Sequence, residues 1–131
     1  ATGQAWLSFR TRQSPVLWID EESGRNRMFQ RLGMTLRGWG AGPETPIWFT
    51  SLAGFNLHGD SLQQTLDQLQ LLIRGANARF VVADALVDLL RGGDENAVKD
   101  VQPAFHGLRC IADETQSAVV LIHHSGKGGK K

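Results

Sequence analysis

Three short apolar runs, each ending in ionisable residues, constrain the fold of this chain more than any other feature. Residues 80–84 read Phe-Val-Val-Ala-Asp, and residues 118–122 read Ala-Val-Val-Leu-Ile before His123 and His124. A third run, residues 15–19, leads into Asp-Glu-Glu. Short runs of this kind, rich in β-branched residues and without polar alternation, are typical of strands buried on both faces. Such strands occur mostly in parallel sheets that helices cover.

Helical patterns separate these strands. Helices are predicted over residues 25–37, over 62–75 and over 98–111, and a short strand is predicted at 47–49. We expect Val98 and Phe105 on the inward face of the last helix. We expect Pro103 in its first turn, where proline is tolerated. Residues 4–9 alternate between polar and apolar side chains, so a further short strand is one interpretation of this segment.

This alternation predicts an α/β fold with a mainly parallel sheet and helices on both faces. Right-handed crossovers place all the strand carboxyl ends along one edge of the sheet. Ligands of open α/β sheets bind at that edge. A polar site is therefore expected where the three runs end.

Composition narrows the class of protein. The 131 residues suit one domain, and 14 basic against 13 acidic residues argue neither for nor against a polyanionic partner. The single Cys110 excludes an internal disulfide and suits a reducing compartment. The sequence has no signal-peptide pattern and no apolar stretch near the roughly 20 residues that span a bilayer. We therefore expect a cytoplasmic protein without a membrane partner.

Asp84 and Glu22 are the two carboxylates to which a specific chemistry can be assigned. A carboxylate that ends a buried strand, as Asp84 does, can hold Mg²⁺ directly or through water. The alternative is that Asp84 caps the following helix or turn. Glu22 can act as a general base that orients a water for attack on a phosphoryl group. The alternative is that it belongs to a solvated acidic turn with Asp20 and Glu21.

Basic and polar residues follow the other strand ends. His123 and His124 alternate along a strand, so they point to opposite faces and are not expected to bind one ion together. Lys127 lies among glycines, like a phosphate-binding loop in composition, but Gly128 follows it and the motif G-x-x-x-x-G-K-[ST] is absent from the chain. Residues 128–131 are expected to be a flexible basic tail.

Taken in order, these segments resemble the RecA-like ATPases of the plasmid RepA helicase type, relatives of the DnaB-like hexameric helicases. The resemblance covers residues 1–127 as one RecA-like ATPase core. The stretches that carry it are 16–22 followed by Arg31 and Leu32, then 80–84, 93–96 and 119–127.

The resemblance implies roles for individual residues. Glu22 corresponds to the catalytic glutamate, and Asp84 corresponds to the aspartate near Mg²⁺. His124 corresponds to the sensor that couples the γ-phosphate to the nucleic-acid face. Lys127 belongs to the same strand-end motif and is expected to reach phosphate, either in its own subunit or in a neighbouring one. The implied partners are ATP, single-stranded DNA and further copies of the chain in a ring, with a mobile loop at Asp94, Glu95 and Asn96.

One departure from the family pattern is large. The first strand and the phosphate-binding loop of that family are absent, as if the chain began downstream of them. Strand 118–122 is then expected to be an exposed edge. Either residues 4–9 cover this edge, or another chain covers it, or the protein is an excised fragment. The sequence favours the ATPase core of a replication or recombination helicase. A non-catalytic RecA-like scaffold or regulatory module, and an α/β hydrolase that uses Asp84 and His124 without ATP, stay open.

Overall fold

The computed structural model describes residues 1–5 and 7–124. Four parallel strands form one sheet in the order β2-β1-β3-β4. The strands are β1 (Val16–Asp20), β2 (Ile47–Ser51), β3 (Phe80–Asp84) and β4 (Ala118–Leu121). The helices are α1 (Arg25–Gly38), α2 (Leu62–Gly75), α3 (Leu86–Leu89) and α4 (Val98–Thr115), with a 3₁₀ turn at Gly59–Ser61. The predicted parallel α/β fold is confirmed.

The main core lies on the sheet face that α2 and α4 cover. Alternate residues of each strand point to this face because side chains of a strand alternate between its two sides. The two helices bury the apolar stripes that their spacing predicts. The buried members include Leu17, Ile19, Val81 and Ala83 from the sheet, Leu66, Leu69 and Ile73 from α2, and Val101, Ala104, Leu108 and Ile111 from α4.

Helix α1 covers part of the opposite face, so helices lie on both sides of the sheet as predicted. Met28 of this helix is buried. The ring of Phe29 meets the ring of Phe49 edge-on, with centroids 5.3 Å apart. Phe49 is in register with Trp18 of β1, which places both on the face that α1 approaches. Val120 of β4 keeps 41% of its surface exposed.

The sequence expectations for α4 were wrong at three residues. The helix begins at Val98, so Pro103 lies in its interior and not in its first turn. Without an N–H, Pro103 cannot bond the carbonyl of Lys99 four residues earlier. Val98 and Phe105 are 76% and 46% exposed because they lie to one side of the stripe that faces the sheet.

Strand β4 is an edge of the sheet within the described residues, as the sequence predicted. It pairs with β3 on one side. Among the described residues of the predicted strand over 4–9, residues 4, 5 and 7–9 do not belong to this four-stranded sheet. No helix of the described chain is long and apolar enough to cross a membrane.

Candidate functional site

The site forms where β1, β3 and β4 end side by side. Asp20 at the end of β1 is in register with Asp84 at the end of β3. Backbone hydrogen bonds continue beyond the strands: the Glu21 N–H donates to the Asp84 carbonyl over 2.8 Å, and the Ile122 N–H donates to the Ala83 carbonyl over 2.9 Å. The residues that follow the three strands are therefore held next to one another.

Asp84 is buried, with 8% of its surface exposed. Burial raises the pKa of its carboxyl group, and the nearby charges of Glu22 and Asp20 raise it further, while His124 opposes the shift. The cap position of α3 is Ala85, and no side chain caps that helix. The alternative interpretation of Asp84 as a helix cap is therefore not supported. A neighbouring cation stabilises the ionised form of a buried carboxylate, so Asp84 is suited to be a Mg²⁺ ligand.

Glu22, Asp84 and His124 form the centre of the site. One potential ligand atom from each of them lies within 4.8 Å of the other two. His124 Nε2 is 3.2 Å from Glu22 Oε2, and both of these side chains are about half exposed. Three residues that the sequence singled out for separate reasons thus meet at the solvent boundary.

Asp20 holds the turn that presents Glu22. Its carboxylate has no exposed surface and accepts hydrogen bonds from the Ser23 N–H, the Gly24 N–H and the Ser51 hydroxyl at 2.9, 3.0 and 2.7 Å. Burial alone would raise the pKa of Asp20, but these hydrogen bonds outweigh it and lower the pKa below its usual value. Gly24 has φ 86°, a backbone conformation that glycine adopts without strain.

Glu21 lies in the loop after β1, and its side chain contacts the loops that follow β2 and β3. Its side chain is 1% exposed and lies 2.8 Å from Arg91 Nη2. It also accepts hydrogen bonds from the backbone N–H groups of Ala53 and Gly54. The interpretation of Asp20, Glu21 and Glu22 as a solvated turn is therefore wrong for the first two. Folding closes the neighbouring loops over them, and only Glu22 faces the solvent.

His123 points away from this centre. Its Nε2 atom lies 3.4 Å from Glu95 Oε2, whereas His124 contacts Glu22, so the two histidines do have different partners. In the loop that contains Glu95, Asp94 donates its N–H to Asp100 and accepts the N–H of Asn96. The first of these bonds lowers the pKa of Asp100. Glu95 is thus the residue of this loop that contacts the end of β4. The predicted phosphate contact of Lys127 lies outside the described residues.

Sequence reasoning missed Ser51 and Arg91 and gave no separate roles to Asp20 and Glu21. The signal available for Asp20 was its position as the last residue of a buried strand. Arg91 opens the polar loop after β3, but nothing in the sequence pairs it with a residue 70 positions away. These four residues organise the site without lying at its centre.

The fold is a parallel α/β sheet, the class of fold in which ligands bind at the carboxyl ends of the strands, and the two carboxylates and the imidazole lie at that edge. A family model described as "AAA domain" matches residues 1–130. The chain therefore belongs to this AAA-domain family, and its domain is of the ATPase type. A search of curated proteins found no match.

Proposed function

We propose that this domain supplies the acidic, water-activating side of an ATP-hydrolysing site in a helicase-type motor. The observation that carries the proposal is the meeting of Glu22, Asp84 and His124 within 4.8 Å at the ends of neighbouring strands. Glu22 is the candidate general base. Its half-exposed carboxylate is accessible to water, and orienting water is what an NTP-hydrolysing site requires of such a group.

Asp84 would hold Mg²⁺, which neutralises phosphate charge when it is bound. His124 would report the state of the γ-phosphate through its contact with Glu22. Because this histidine lies three residues after the last residue of β4, a change in that contact would affect the end of the strand and the neighbouring His123–Glu95 pair. That pair supports assigning Asp94, Glu95 and Asn96 to a moving loop near nucleic acid.

The remaining parts of the proposal follow from the family resemblance. Lys127 would contact phosphate, in its own subunit or in a neighbouring one. The motor would be a homo-oligomer that binds single-stranded DNA. The edge strand β4 is compatible with a further strand on its free side, since an unpaired edge offers a row of backbone N–H and carbonyl groups.

A second candidate function is a non-catalytic scaffold or regulatory module. The observation that favours it is the absence of G-x-x-x-x-G-K-[ST] from the 131 residues. In P-loop ATPases the backbone N–H groups and the lysine of that motif hold the β- and γ-phosphates. A chain without it would retain the acidic and sensor side chains but have low affinity for ATP.

Calorimetry with Mg·ATP and a phosphate-release assay on the purified chain distinguish the two. Under the first proposal the chain binds Mg·ATP, and Glu22→Gln keeps binding while lowering the hydrolysis rate by about 10²–10⁴-fold. Asp84→Asn weakens Mg·ATP binding. Glu44→Gln, an exposed glutamate in the loop before β2, serves as the matched control and should change neither quantity.

Two outcomes contradict the proposed catalysis. Unchanged hydrolysis in Glu22→Gln, or equal loss of binding and hydrolysis, would remove Glu22 as the base. Absence of any Mg·ATP binding by the wild-type chain would overturn ATP hydrolysis by this chain on its own.

A further inference from the structure

We propose that Glu22, Asp84 and His124, in the absence of nucleotide, bind one divalent ion of the Mn²⁺, Co²⁺ or Zn²⁺ type, with His124 as a direct nitrogen ligand. This inference goes beyond the proposed function, because it requires neither ATP nor hydrolysis. It also differs from a Mg²⁺ site, because the preferred ion follows from the imidazole.

The donor set selects the class of ion. Mg²⁺ prefers oxygen ligands and keeps several of its waters, so an imidazole adds little to its binding. Imidazole nitrogen suits later divalent ions, whose affinity for mixed nitrogen and oxygen sites rises from Mn²⁺ through Co²⁺. Two carboxylates balance the two positive charges of the ion. An ion that binds all three groups should therefore have a higher affinity for this site than Mg²⁺ has.

The geometry requires only small movements. Bonds of about 2.0–2.2 Å to nitrogen and oxygen bring neighbouring ligand atoms to about 3–3.5 Å from one another. The contact between His124 and Glu22 is already 3.2 Å, and no pair in the group exceeds 4.8 Å. Glu22 and His124 are about half exposed and can turn towards Asp84, which the end of β3 holds in place.

Asp84 supplies an independent indication of a cation. More than nine tenths of its surface is buried, and within residues 1–5 and 7–124 no backbone N–H or hydroxyl group donates to its carboxylate as Ser51 does to Asp20. The indole N–H of Trp18 favours the charged form of Asp84. Asp84 thus has fewer donors in the described chain than Asp20 has, and an ion would compensate it.

Other histidines of the described chain form only pairs. His58 lies 3.8 Å from Asp100, and His123 lies 3.4 Å from Glu95. Residues 1–5 and 7–124 contain no second group of three potential ligands. His106 Nε2 and Cys110 Sγ are 3.8 Å apart on the exposed side of α4, and this pair competes for thiophilic ions such as Zn²⁺.

The test is a titration of the nucleotide-free chain with Co²⁺, followed by the visible absorption of the bound ion, in a Cys110→Ser background. We expect one Co²⁺ per chain. His124→Ala and Asp84→Asn should each weaken Co²⁺ binding by about tenfold or more. His123→Ala is the matched control, since it removes the adjacent imidazole but no ligand, and should leave binding unchanged. Mg²⁺ at a concentration equal to that of Co²⁺ should not displace Co²⁺, whereas Zn²⁺ should.

Equal Co²⁺ affinity in the wild type and in His124→Ala would overturn the proposal, as would displacement by an equal concentration of Mg²⁺. His124 is exposed, so its replacement does not put folding at risk, and circular dichroism of each variant verifies this. Because ATP is absent, a negative result leaves the proposed hydrolysis untouched. If Co²⁺ binds as expected, the ion occupies the Glu22 carboxylate and should therefore inhibit water activation by Glu22.

Discussion

Nη2 of Arg91 lies 2.8 Å from Oε2 of Glu21, and the Glu21 side chain is 1% exposed while that of Arg91 is 53% exposed. The same guanidinium donates to the Phe55 carbonyl over 3.3 Å. The pair therefore connects a fully buried carboxylate to a loop that remains in contact with water.

Arg91→Ala should lower the free energy of unfolding by about 1–3 kcal/mol, because it leaves the Glu21 carboxylate buried with only backbone donors. Urea denaturation measures the change. Arg74→Ala is the matched control: Arg74 and Glu114 lie 3.7 Å apart with both side chains more than half exposed, so its removal should cost well under about 1 kcal/mol. Equal losses in the two variants would show that burial of Glu21 does not determine the effect.

Asp84→Asn should raise the melting temperature of the nucleotide-free, chelator-treated protein by a few degrees at pH 7. Folding raises the pKa of this carboxyl above its ordinary value of 3.8, first through burial. Between the two pKa values the folded state holds a proton that the unfolded state has lost, so wild-type stability falls as pH rises through that window. The asparagine side chain is uncharged, so it carries no free-energy cost of ionising a buried carboxyl group.

The advantage of Asp84→Asn should therefore shrink as pH falls, and should be lost below pH 3.8, where wild-type Asp84 becomes protonated in the unfolded state as well as in the folded one. Melting curves across that range measure it. A melting temperature below that of the wild type at pH 7 would mean that the ionised carboxylate stabilises the fold.

Ser51→Ala should destabilise the protein by about 1 kcal/mol at neutral pH, because it removes the 2.7 Å hydrogen bond to buried Asp20. The pKa of Asp20 is lowered, so its stabilising contribution is present above the unfolded pKa and is lost as pH falls through the folded one. The cost of Ser51→Ala should decrease in the same direction. Ser61→Ala is the control, since the Ser61 side chain makes no cap hydrogen bond, and it should be nearly neutral.

Gly107→Ala should destabilise the contact between α4 and α2 by about 1–3 kcal/mol. A Cβ at this position would lie 2.9 Å or less from both methyl carbons of Leu66, which is buried in the main core. Gly75→Ala, at the end of α2 with open space around it, should have little effect or stabilise slightly. In a Leu66→Ala background the additional cost of Gly107→Ala should disappear, and persistence of the full cost would rule out the steric explanation.

The buried strands and their order along the chain made the fold predictable, because apolar runs without alternation require helices on both sides. The positions of Glu22, Asp84 and His124 were predictable for the same reason. Asp84 ends a strand and the other two residues follow strands, and parallel strands bring their carboxyl ends together. Identifying strand ends was sufficient to bring these three residues to one edge.

The supporting contacts were not predictable because they depend on which loops close over the strand ends. Glu21 looks like its neighbours in the sequence, but the loop from Ala53 to Phe55 and the Arg91 side chain enclose it. The exposure of Val98 at the start of α4 was also missed. Val98 is apolar yet exposed, so the apolar pattern did not distinguish the residue that begins the helix from those that face the sheet.

Glu22 and His124 are in contact across 102 positions of sequence. Contacts of such separation form late, because the entropy of closing a long loop must be overcome before they stabilise anything. The three side chains meet only when both β1 and β4 have paired with β3. A partly folded chain that lacks either pairing therefore has no complete site, and ligand binding at these three residues would report when both pairings have formed.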